Sequence, residues 1–219
     1  MDDKPGVDVA PESSSEADLR AARYAVFEQV DADRVALAHH ADDLAETVLL
    51  HLLRGTGIRG LRGMARRRGR FVRPLLDEPR AALSAWATSR ELTWVEDPSN
   101  ASLGPLRNRL RHQIFPQLED ARPGAGAAIA RSARHAAEVD AWLTALAREH
   151  PPPWSADWVA SGPPALVRCA ILEIAPSLRT TGVDAVIAAA RRGHGRVRAE
   201  GLEFRVEGGH VTVSDRAGV

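Results

Sequence analysis

The order of apolar and polar positions in the first hundred residues predicts strands alternating with helices. Apolar residues repeat at helical spacing in three segments, and short apolar runs separate these segments. The predicted elements, in chain order, are a helix ending near Val30, a strand over Val35–Ala38, a helix over about Asp42–Arg54, a strand over about Phe71–Leu76, a helix over about Pro79–Glu91 and a strand over Leu92–Val95. Such alternation predicts an α/β fold built on a parallel sheet.

The same spacing selects the side chains that are expected in the core. The first predicted helix presents the apolar residues Leu19, Ala22, Val26 and Val30, and the second presents Leu49, Leu50, Leu52 and Leu53. The five tryptophans are too dispersed to form a platform for stacked bases, so most of them are expected in the core.

Beyond Asn100 the pattern predicts helices and then a terminal hairpin. Two helices are expected, over about Pro105–Leu118 and Ala125–Glu149, followed by the proline-rich linker HPPPWSADW. Two short helices come next, and alternating apolar residues around Gly208–Gly209 predict a β-hairpin. The sequence therefore predicts three regions: an incomplete α/β domain over residues 1–100, a helical subdomain over 101–150, and a small C-terminal α+β region over 151–219.

Composition narrows the class of protein. The 219 residues are 44% hydrophobic, which is enough for one substantial core and a second small one. No run approaches eighteen apolar residues, and the acidic start is unlike a secretory signal, so no membrane partner is expected. The single cysteine, Cys169, can form neither an internal disulfide nor a thiolate metal site on its own, which favours a cytoplasmic protein.

Positive charge is concentrated in one segment although the net charge of the chain is zero. Between Arg54 and Leu76 the chain reads RGTGIRGLRGMARRRGRFVRPLL, with arginines and glycines but no acid. Guanidinium groups bind phosphate in a bidentate manner, and glycines let backbone N–H groups approach an anion. The segment predicts a phosphate-binding surface, and the alternative is a basic loop that faces only solvent.

A polar cluster lies where the strand over Val35–Ala38 meets the following helix. It consists of His39, His40, Asp42, Asp43 and Glu46. Ligand sites in parallel sheets form at this end of the strands, and two carboxylates one helical turn apart could face one cation or one Mg²⁺. Alternatively, the aspartates only cap the helix. A zinc site is disfavoured, because no cysteine is near and the histidines lack the spacing of helical zinc ligands.

A second polar cluster follows the α/β region. The sequence EDPSN, residues 96–100, precedes a predicted helix on which Arg107 and Arg111 share one face. A functional surface and a turn followed by a solvated basic helix are both compatible with this pattern.

Four strings in register resemble the tRNA(Ile)-lysidine synthetases of the PP-loop ATP pyrophosphatase superfamily. They are HHADDLAETVLLHLLRGTGIRGLRGM, RPLL, WVEDPSN and RNRLRHQIFPQLE. The resemblance implies a partial adenine-nucleotide alpha-hydrolase-like sheet. It also implies an ATP-dependent ligase that adenylates C2 of the wobble cytidine of an AUA-reading tRNA(Ile) and then lets lysine displace AMP.

The resemblance gives the clusters their roles. It implies that Asp42, Asp43 and Glu46 bind lysine, and that the catalytic residues come from His39, His40, Asp43 and Arg109, with His39 or His40 and Arg109 near the adenylated base or its phosphate. Adjacent histidines on a strand point apart, so at most one of the two is expected to face the site. The arginines that it places on tRNA are Arg54, Arg59, Arg62, Arg66, Arg67, Arg68, Arg73, Arg107 and Arg111. The implied partners are free lysine, ATP with Mg²⁺, tRNA(Ile) with a CAU anticodon, and a second copy of the chain in a homodimer.

Two departures from the family pattern change these expectations. Leu44 stands where the family has glutamine after the paired aspartates. The Ser-Gly-Gly-x-Asp-Ser phosphate loop, which precedes the first predicted helix in the family, does not occur in this sequence. The chain is therefore expected to resemble a family member without its amino-terminal part, with no ATP phosphate loop, and the alternative function is binding of tRNA without chemistry.

Overall fold

A computed structural model describes residues 16–95, 104–199 and 201–215 of the chain. The chain divides between Ala136 and Ala137 into two compact units, and the division falls within one long helix. None of the described helices is both long enough and apolar enough to cross a lipid bilayer.

The first unit is mixed α/β, as the alternation of apolar segments predicts. Its elements are α1 (Glu16–Glu28), β1 (Val35–Ala36), α2 (Ala41–Leu53), α3 (Ile58–Leu61), β2 (Arg67–Arg68), β3 (Phe71–Val72), α4 (Arg80–Ser89), α5 (Leu106–Arg109), a π-helical turn (Leu110–Ile114), α6 (Phe115–Ala121) and the first half of α7 (Ala125–Arg148).

The sheet of the first unit has three short strands in the order β1-β3-β2. β1 and β3 are parallel, with Val35 opposite Phe71, and α2 and α3 form the crossover between them. The antiparallel strand β2 was not predicted; it pairs with β3 through a tight turn at Gly69, whose φ is +58°.

The predicted strand over Leu92–Val95 is wrong. These four residues lie outside regular structure, and no strand in the described part of the chain pairs with them. All four are exposed, Val95 almost completely. An apolar run without a neighbouring strand has no partner for its backbone hydrogen bonds, so it does not form a ladder.

The core of the first unit is built on the amino-terminal half of α2. One packed cluster of buried side chains consists of Leu44, Val48, Leu76, Ala130 and Ala133. The expected core positions Leu52 and Leu53 are instead 54% and 61% exposed, and Leu49 and Leu50 are half-buried. The burial pattern of α2 therefore places Leu44 in the core.

Close packing against α2 depends on a glycine in the arginine-rich segment. Gly63 has a φ of +63°, and a Cβ atom there would lie 2.5 Å from Cδ1 of Leu44. A Cβ atom would be strained at this φ and would push the side chain of Leu44 aside, so glycine allows the segment to pack closely on α2.

Helix α1 packs on the sheet through its aromatic side chains, whereas the predicted core positions Ala22, Val26 and Val30 are exposed. The side chain of Leu19, the other predicted core position, lies outside the described residues. Tyr24 meets Phe71 edge to face with ring centroids 5.0 Å apart, and Phe27 lies beside both rings. Val26 and Val30 are exposed, and Val30 lies beyond the end of the helix. Aromatic rings bury more apolar area than valine, which explains why the neighbouring face of α1 faces the sheet.

The second unit consists of helices on an antiparallel sheet. After the second half of α7 it contains β4 (Trp154–Ser155), α8 (Ala156–Ser161), α9 (Pro164–Ile174), α10 (Thr180–Arg192), β5 (Gly195–Ala199), β6 (Leu202–Glu207) and β7 (His210–Asp215). The strand order is β4-β7-β6-β5. The predicted hairpin is confirmed as β6 and β7, joined by Gly208 and Gly209 with positive φ.

The predicted linker HPPPWSADW lies inside this unit and contains β4 and the start of α8. Trp154 lies in β4, is buried, and donates its indole N–H to the carbonyl of His150. The expectation that most tryptophans lie in the core is wrong, because Trp86, Trp94 and Trp142 are exposed.

Candidate amine-binding site and basic surface

Hydrogen bonds at the start of α2 fix the positions of His40 and Asp43. His40 is the N-cap residue: its Nδ1 accepts from the backbone N–H of Asp43 at 3.4 Å, and Oδ2 of Asp43 accepts from the backbone N–H of His40 at 3.1 Å. This reciprocal pair is a capping box, with histidine in the place usually taken by serine or threonine. Asp43 therefore takes part in capping α2, and the capping box also orients its carboxylate.

Asp43 and Glu46 lie one turn apart on α2 and share two arginine partners from the helical segment 106–121. Arg107 donates to Glu46 Oε2 at 2.8 Å and to Asp43 Oδ1 at 3.1 Å. Arg111 donates to Glu46 Oε1 at 2.6 Å, to Glu46 Oε2 at 2.8 Å and to Asp43 Oδ1 at 3.2 Å. We call these four residues the carboxylate–guanidinium cluster.

Burial within the cluster is uneven. The side chain of Glu46 is only 4% exposed, whereas those of Arg107 and Arg111 are 21% and 23% exposed. The carboxylates form the inner side of the cluster and the guanidiniums its outer side. Two carboxylates and two guanidiniums give the cluster a formal charge of zero, which is the condition for burying charged groups.

The arginines of the cluster come from a helix that changes its winding between them. Arg107 lies in α5 and Arg111 in the π-helical turn, which starts at the buried residue Leu110. The predicted helix over Pro105–Leu118 is thus confirmed with an internal π-turn that the sequence pattern did not show. Single π-turns inside α-helices occur often at functional sites.

The field of the cluster stabilises the charge of Arg111. Burial lowers the pKa of Arg111, but the hydrogen bond and charge of Glu46 raise it, with further contributions from Asp43 and Asp42, and the net effect is a raised pKa. Arg111 therefore stays a cation wherever the carboxylates are ionised.

The remaining residues of the predicted site lie around the cluster. Asp42 is exposed, and its Oδ2 accepts from the backbone N–H of Arg80 at 2.8 Å, which ties α2 to the start of α4. His40 Nε2 lies 3.4 Å from Asp43 Oδ2, and His39 is half-buried and lies three residues after the end of β1. Arg109 is exposed, and because it is two residues from Arg107 it lies on another face of the helix. The cluster over residues 96–100 lies outside the described residues.

Some arginine side chains of the arginine-rich segment are exposed, and others bind groups of the protein. Arg54, Arg66, Arg67 and Arg68 are exposed, and Arg59 and Arg62 are half-buried. Arg66 forms an ion pair with Asp77, which also accepts from Arg134 at 3.2 Å. Arg70 donates to the carbonyl of Glu28 at 3.1 Å and also to those of Val30 and Ala32, at the end of α1.

The prediction that Arg73 belongs to the phosphate-binding surface is wrong. Its side chain is buried and donates to the carbonyl of Ala65 at 2.7 Å and to the hydroxyl of Tyr24 at 3.2 Å. A phosphate cannot reach a guanidinium enclosed in this way, so Arg73 has a structural position here. We call Arg54, Arg67 and Arg68 the exposed basic surface.

Within residues 16–95, 104–199 and 201–215, no group of three or more His, Cys, Asp or Glu side chains is placed to hold a metal ion. Asp43 and Glu46, the acids of the predicted site that lie together, are both occupied by guanidinium groups. This donor set does not fit the Mg²⁺ that the resemblance implies.

Comparison with known proteins supplies the family context for this geometry. A family model described as the PP-loop domain matches residues 3–118. The chain is 48% identical over 147 residues to the tRNA(Ile)-lysidine synthase of Alkalilimnicola ehrlichii, covering 63% of this chain and 33% of that protein. It is 47% identical over 148 residues to that of Pseudomonas fluorescens, covering 65% and 34%.

A longer match extends into the second unit. The chain is 38% identical over 182 residues to the tRNA(Ile)-lysidine synthase of Pseudomonas syringae pv. tomato, covering 80% of this chain and 40% of that protein. In these three comparisons the chain spans between a third and two fifths of the length of the curated relatives.

Proposed function

We propose, from the premise that this chain belongs to the PP-loop domain family, that it acts in the ATP-dependent joining of lysine to the wobble cytidine of an AUA-reading tRNA(Ile). The relatives named tRNA(Ile)-lysidine synthase support this reaction over tRNA binding without chemistry. The observation that carries the proposal is the pair Asp43 and Glu46, which the start of α2 holds side by side on the inner side of the cluster.

Two carboxylates side by side suit the ammonium group of lysine. Each oxygen can accept a charge-assisted hydrogen bond, and together they provide two negative charges at one point. The aliphatic stem of lysine would leave the reacting amine to be directed at C2 of the adenylated cytidine. Asp43 and Glu46 would thereby select a substrate with two amino groups, and Asp42 would add negative charge at the entrance.

The displacement step releases a proton as well as AMP. The new bond joins the lysine nitrogen to C2 of the base, the bond from C2 to the oxygen of AMP breaks, and the amine loses one proton. His40 lies beside Asp43, with its Nε2 3.4 Å from Asp43 Oδ2, and its imidazole would take this proton. Arg109 and His39 would contact the phosphate of the AMP leaving group and stabilise its charge.

ATP enters this proposal as a substrate, and its phosphate site is not assigned to the present residues. The sequence contains no Ser-Gly-Gly-x-Asp-Ser loop, and the donor set around Asp43 and Glu46 does not fit Mg²⁺. We therefore derive no step through the metal.

The exposed basic surface would contact the backbone of the tRNA. Guanidiniums on phosphates contribute affinity and position the RNA without reading its bases. Recognition of the CAU anticodon would then depend on other groups, including Arg109 near the wobble base.

The proposal is tested by transfer of labelled lysine to a tRNA(Ile) transcript with a CAU anticodon. The assay uses this chain joined to an amino-terminal segment that carries the Ser-Gly-Gly-x-Asp-Ser loop of the family pattern. We expect ATP-dependent transfer, and we expect Asp43→Asn to raise the KM for lysine much more than the KM for ATP. Asp33→Asn, a change at an exposed loop acid, is the matched control. Equal increases in both KM values would contradict an amine-binding role for Asp43.

A further inference from the structure

We infer that Arg107 is an exchangeable counter-ion of the amine site, so that an ammonium group enters by displacing this guanidinium from Asp43 and Glu46. The inference rests on the proposed function, because it concerns how the proposed lysine site opens. It adds a residue that controls access to the site and that the family resemblance placed instead on tRNA.

The oxygens of Asp43 and Glu46 already accept hydrogen bonds. Asp43 Oδ1 accepts from both guanidiniums, and Oδ2 accepts from the backbone N–H of His40. Glu46 Oε1 accepts from Arg111, and Oε2 accepts from both arginines. Every oxygen of the two carboxylates therefore already has a donor within 3.2 Å.

The net charge of the carboxylate–guanidinium cluster also favours exchange over simple addition of an ammonium group. The cluster is formally neutral, and Glu46 is almost fully buried. Adding an ammonium group to a neutral, poorly solvated cluster would leave one excess positive charge, which is unfavourable in such an environment. Exchange of one guanidinium for one ammonium keeps the total charge at zero.

The geometry selects Arg107 rather than Arg111 as the group that leaves. Arg111 makes three hydrogen bonds to the carboxylates, the shortest 2.6 Å, whereas Arg107 makes two, of 2.8 and 3.1 Å. Arg107 can leave by rotation of its long side chain toward solvent. The carboxylates stay in place meanwhile, because Leu44 and Val48 anchor α2 in the core.

The test measures amine binding to the full chain by calorimetry at low ionic strength. Lysine and butylammonium are titrated into the parent chain and into the variants Arg107→Met, Arg107→Lys and Arg131→Met. Methionine keeps the aliphatic stem of arginine without its charge, and Arg131 is an exposed arginine of α7 that serves as the matched control.

We expect Arg107→Met to bind lysine at least tenfold more tightly than the parent. Arg107→Lys should lie between them, because an ammonium holds the carboxylates without the bidentate geometry of a guanidinium. Arg131→Met should match the parent. If circular dichroism shows that Arg107→Met does not fold, the comparison of Arg107→Lys with the parent decides the question.

The outcomes separate this inference from the proposed function. If lysine binds the parent but no more tightly to the Arg107 variants, the exchange is overturned and the lysine site stands. If both amines gain tenfold in Arg107→Met but lysine binds no better than butylammonium, the exchange stands and lysine is not the substrate. If neither amine binds any variant, both proposals are overturned.

Discussion

Two segments of the first unit are both rich in arginine, but their arginines have different surroundings. In the hairpin of β2 and β3, Arg67 and Arg68 face solvent. In the helix that begins at Leu106, Arg107 and Arg111 point at Asp43 and Glu46 and complete a neutral cluster. A guanidinium that is already satisfied by carboxylates contributes little to binding an RNA backbone, so Arg107 and Arg111 are not available to phosphate, whereas Arg67 and Arg68 are.

The difference shows that a run of basic residues does not by itself define a nucleic-acid surface. The acids that neutralise Arg107 and Arg111 lie 61 to 68 residues away in the chain. Inspection of neighbouring sequence finds no acid beside either arginine, yet tertiary structure supplies two. Measurements that separate the two segments test this distinction directly.

The largest expected effect comes from removing a carboxylate from the cluster. Glu46→Gln leaves two guanidiniums facing one remaining carboxylate, and we expect a loss of about 2 to 3 kcal/mol in the free energy of unfolding. Urea denaturation followed by circular dichroism measures it. Glu78→Gln, at an exposed acid, should change stability by less than about 0.5 kcal/mol. Equal stability of the two variants would show that the cluster is a surface feature.

A second change tests how the arginine-rich segment is anchored. Gly63→Ala places a methyl group against Leu44 and forces a strained backbone, so we expect a loss of about 1 to 3 kcal/mol. Gly57→Ala is the control, because Gly57 has a φ of −84° and no atom within 4 Å of a new Cβ. A stable Gly63→Ala protein would show that the segment is not packed on α2 as described.

The RNA experiment compares the two segments most directly. Replacing both Arg67 and Arg68 with alanine should weaken binding to all tRNAs alike and reduce the log–log salt slope by about 0.7 to 0.9 for each lost contact. In the absence of lysine, Arg107→Met should leave the salt slope unchanged, because that guanidinium is held by carboxylates. Filter binding over a range of salt concentrations distinguishes the segments, and the same slope for both variants would remove the distinction.

The smallest effect concerns a carboxylate that binds backbone groups instead of guanidiniums. Glu119 accepts from the backbone N–H of Gly126 and of Gly124 at 2.7 Å each, at the start of α7, and these bonds lower its pKa. The stabilisation is present above the ordinary pKa of a glutamate and is lost as the pH falls through the lowered value.

Thermal unfolding as a function of pH measures this contribution. Glu119→Gln should be less stable than the parent at pH 7 by about 0.5 kcal/mol, after allowance for solvent screening, and the difference should shrink in acid. Asp120→Asn, at the neighbouring exposed acid, is the control. A difference that is the same at pH 7 and in strong acid would contradict the assignment.

Local patterns in the sequence predict some features of the fold and of the site. The change from strand to helix near His40 follows from a short apolar run and helical spacing, and it correctly brings Asp43 and Glu46 onto one helix. The terminal hairpin follows from alternation around two glycines. These features depend on residues that are close in the chain, so the sequence contains the information directly.

Features that depend on distant residues could not be predicted in this way. Helix α1 turns its aromatic face to the sheet because Phe71 of β3 packs against Tyr24. Helix α2 buries its amino-terminal half because Gly63 and Leu76 pack there. The π-helical turn and the cluster arginines are likewise defined by contacts across the unit. Whether the site residues have the roles that the resemblance implies stays a prediction, which the assays above address.

The separation of 61 to 68 residues within the cluster also has a consequence for folding. The capping box of His40 and Asp43 is local, so α2 can start to form while the segment with Arg107 is still unsynthesised or unfolded. Its carboxylates then remain hydrated until the distant arginines arrive, and that contact requires the closure of a long loop. Docking of the helix that begins at Leu106 is therefore expected late in folding, in a step in which Glu46 loses its water and gains its counter-ions together.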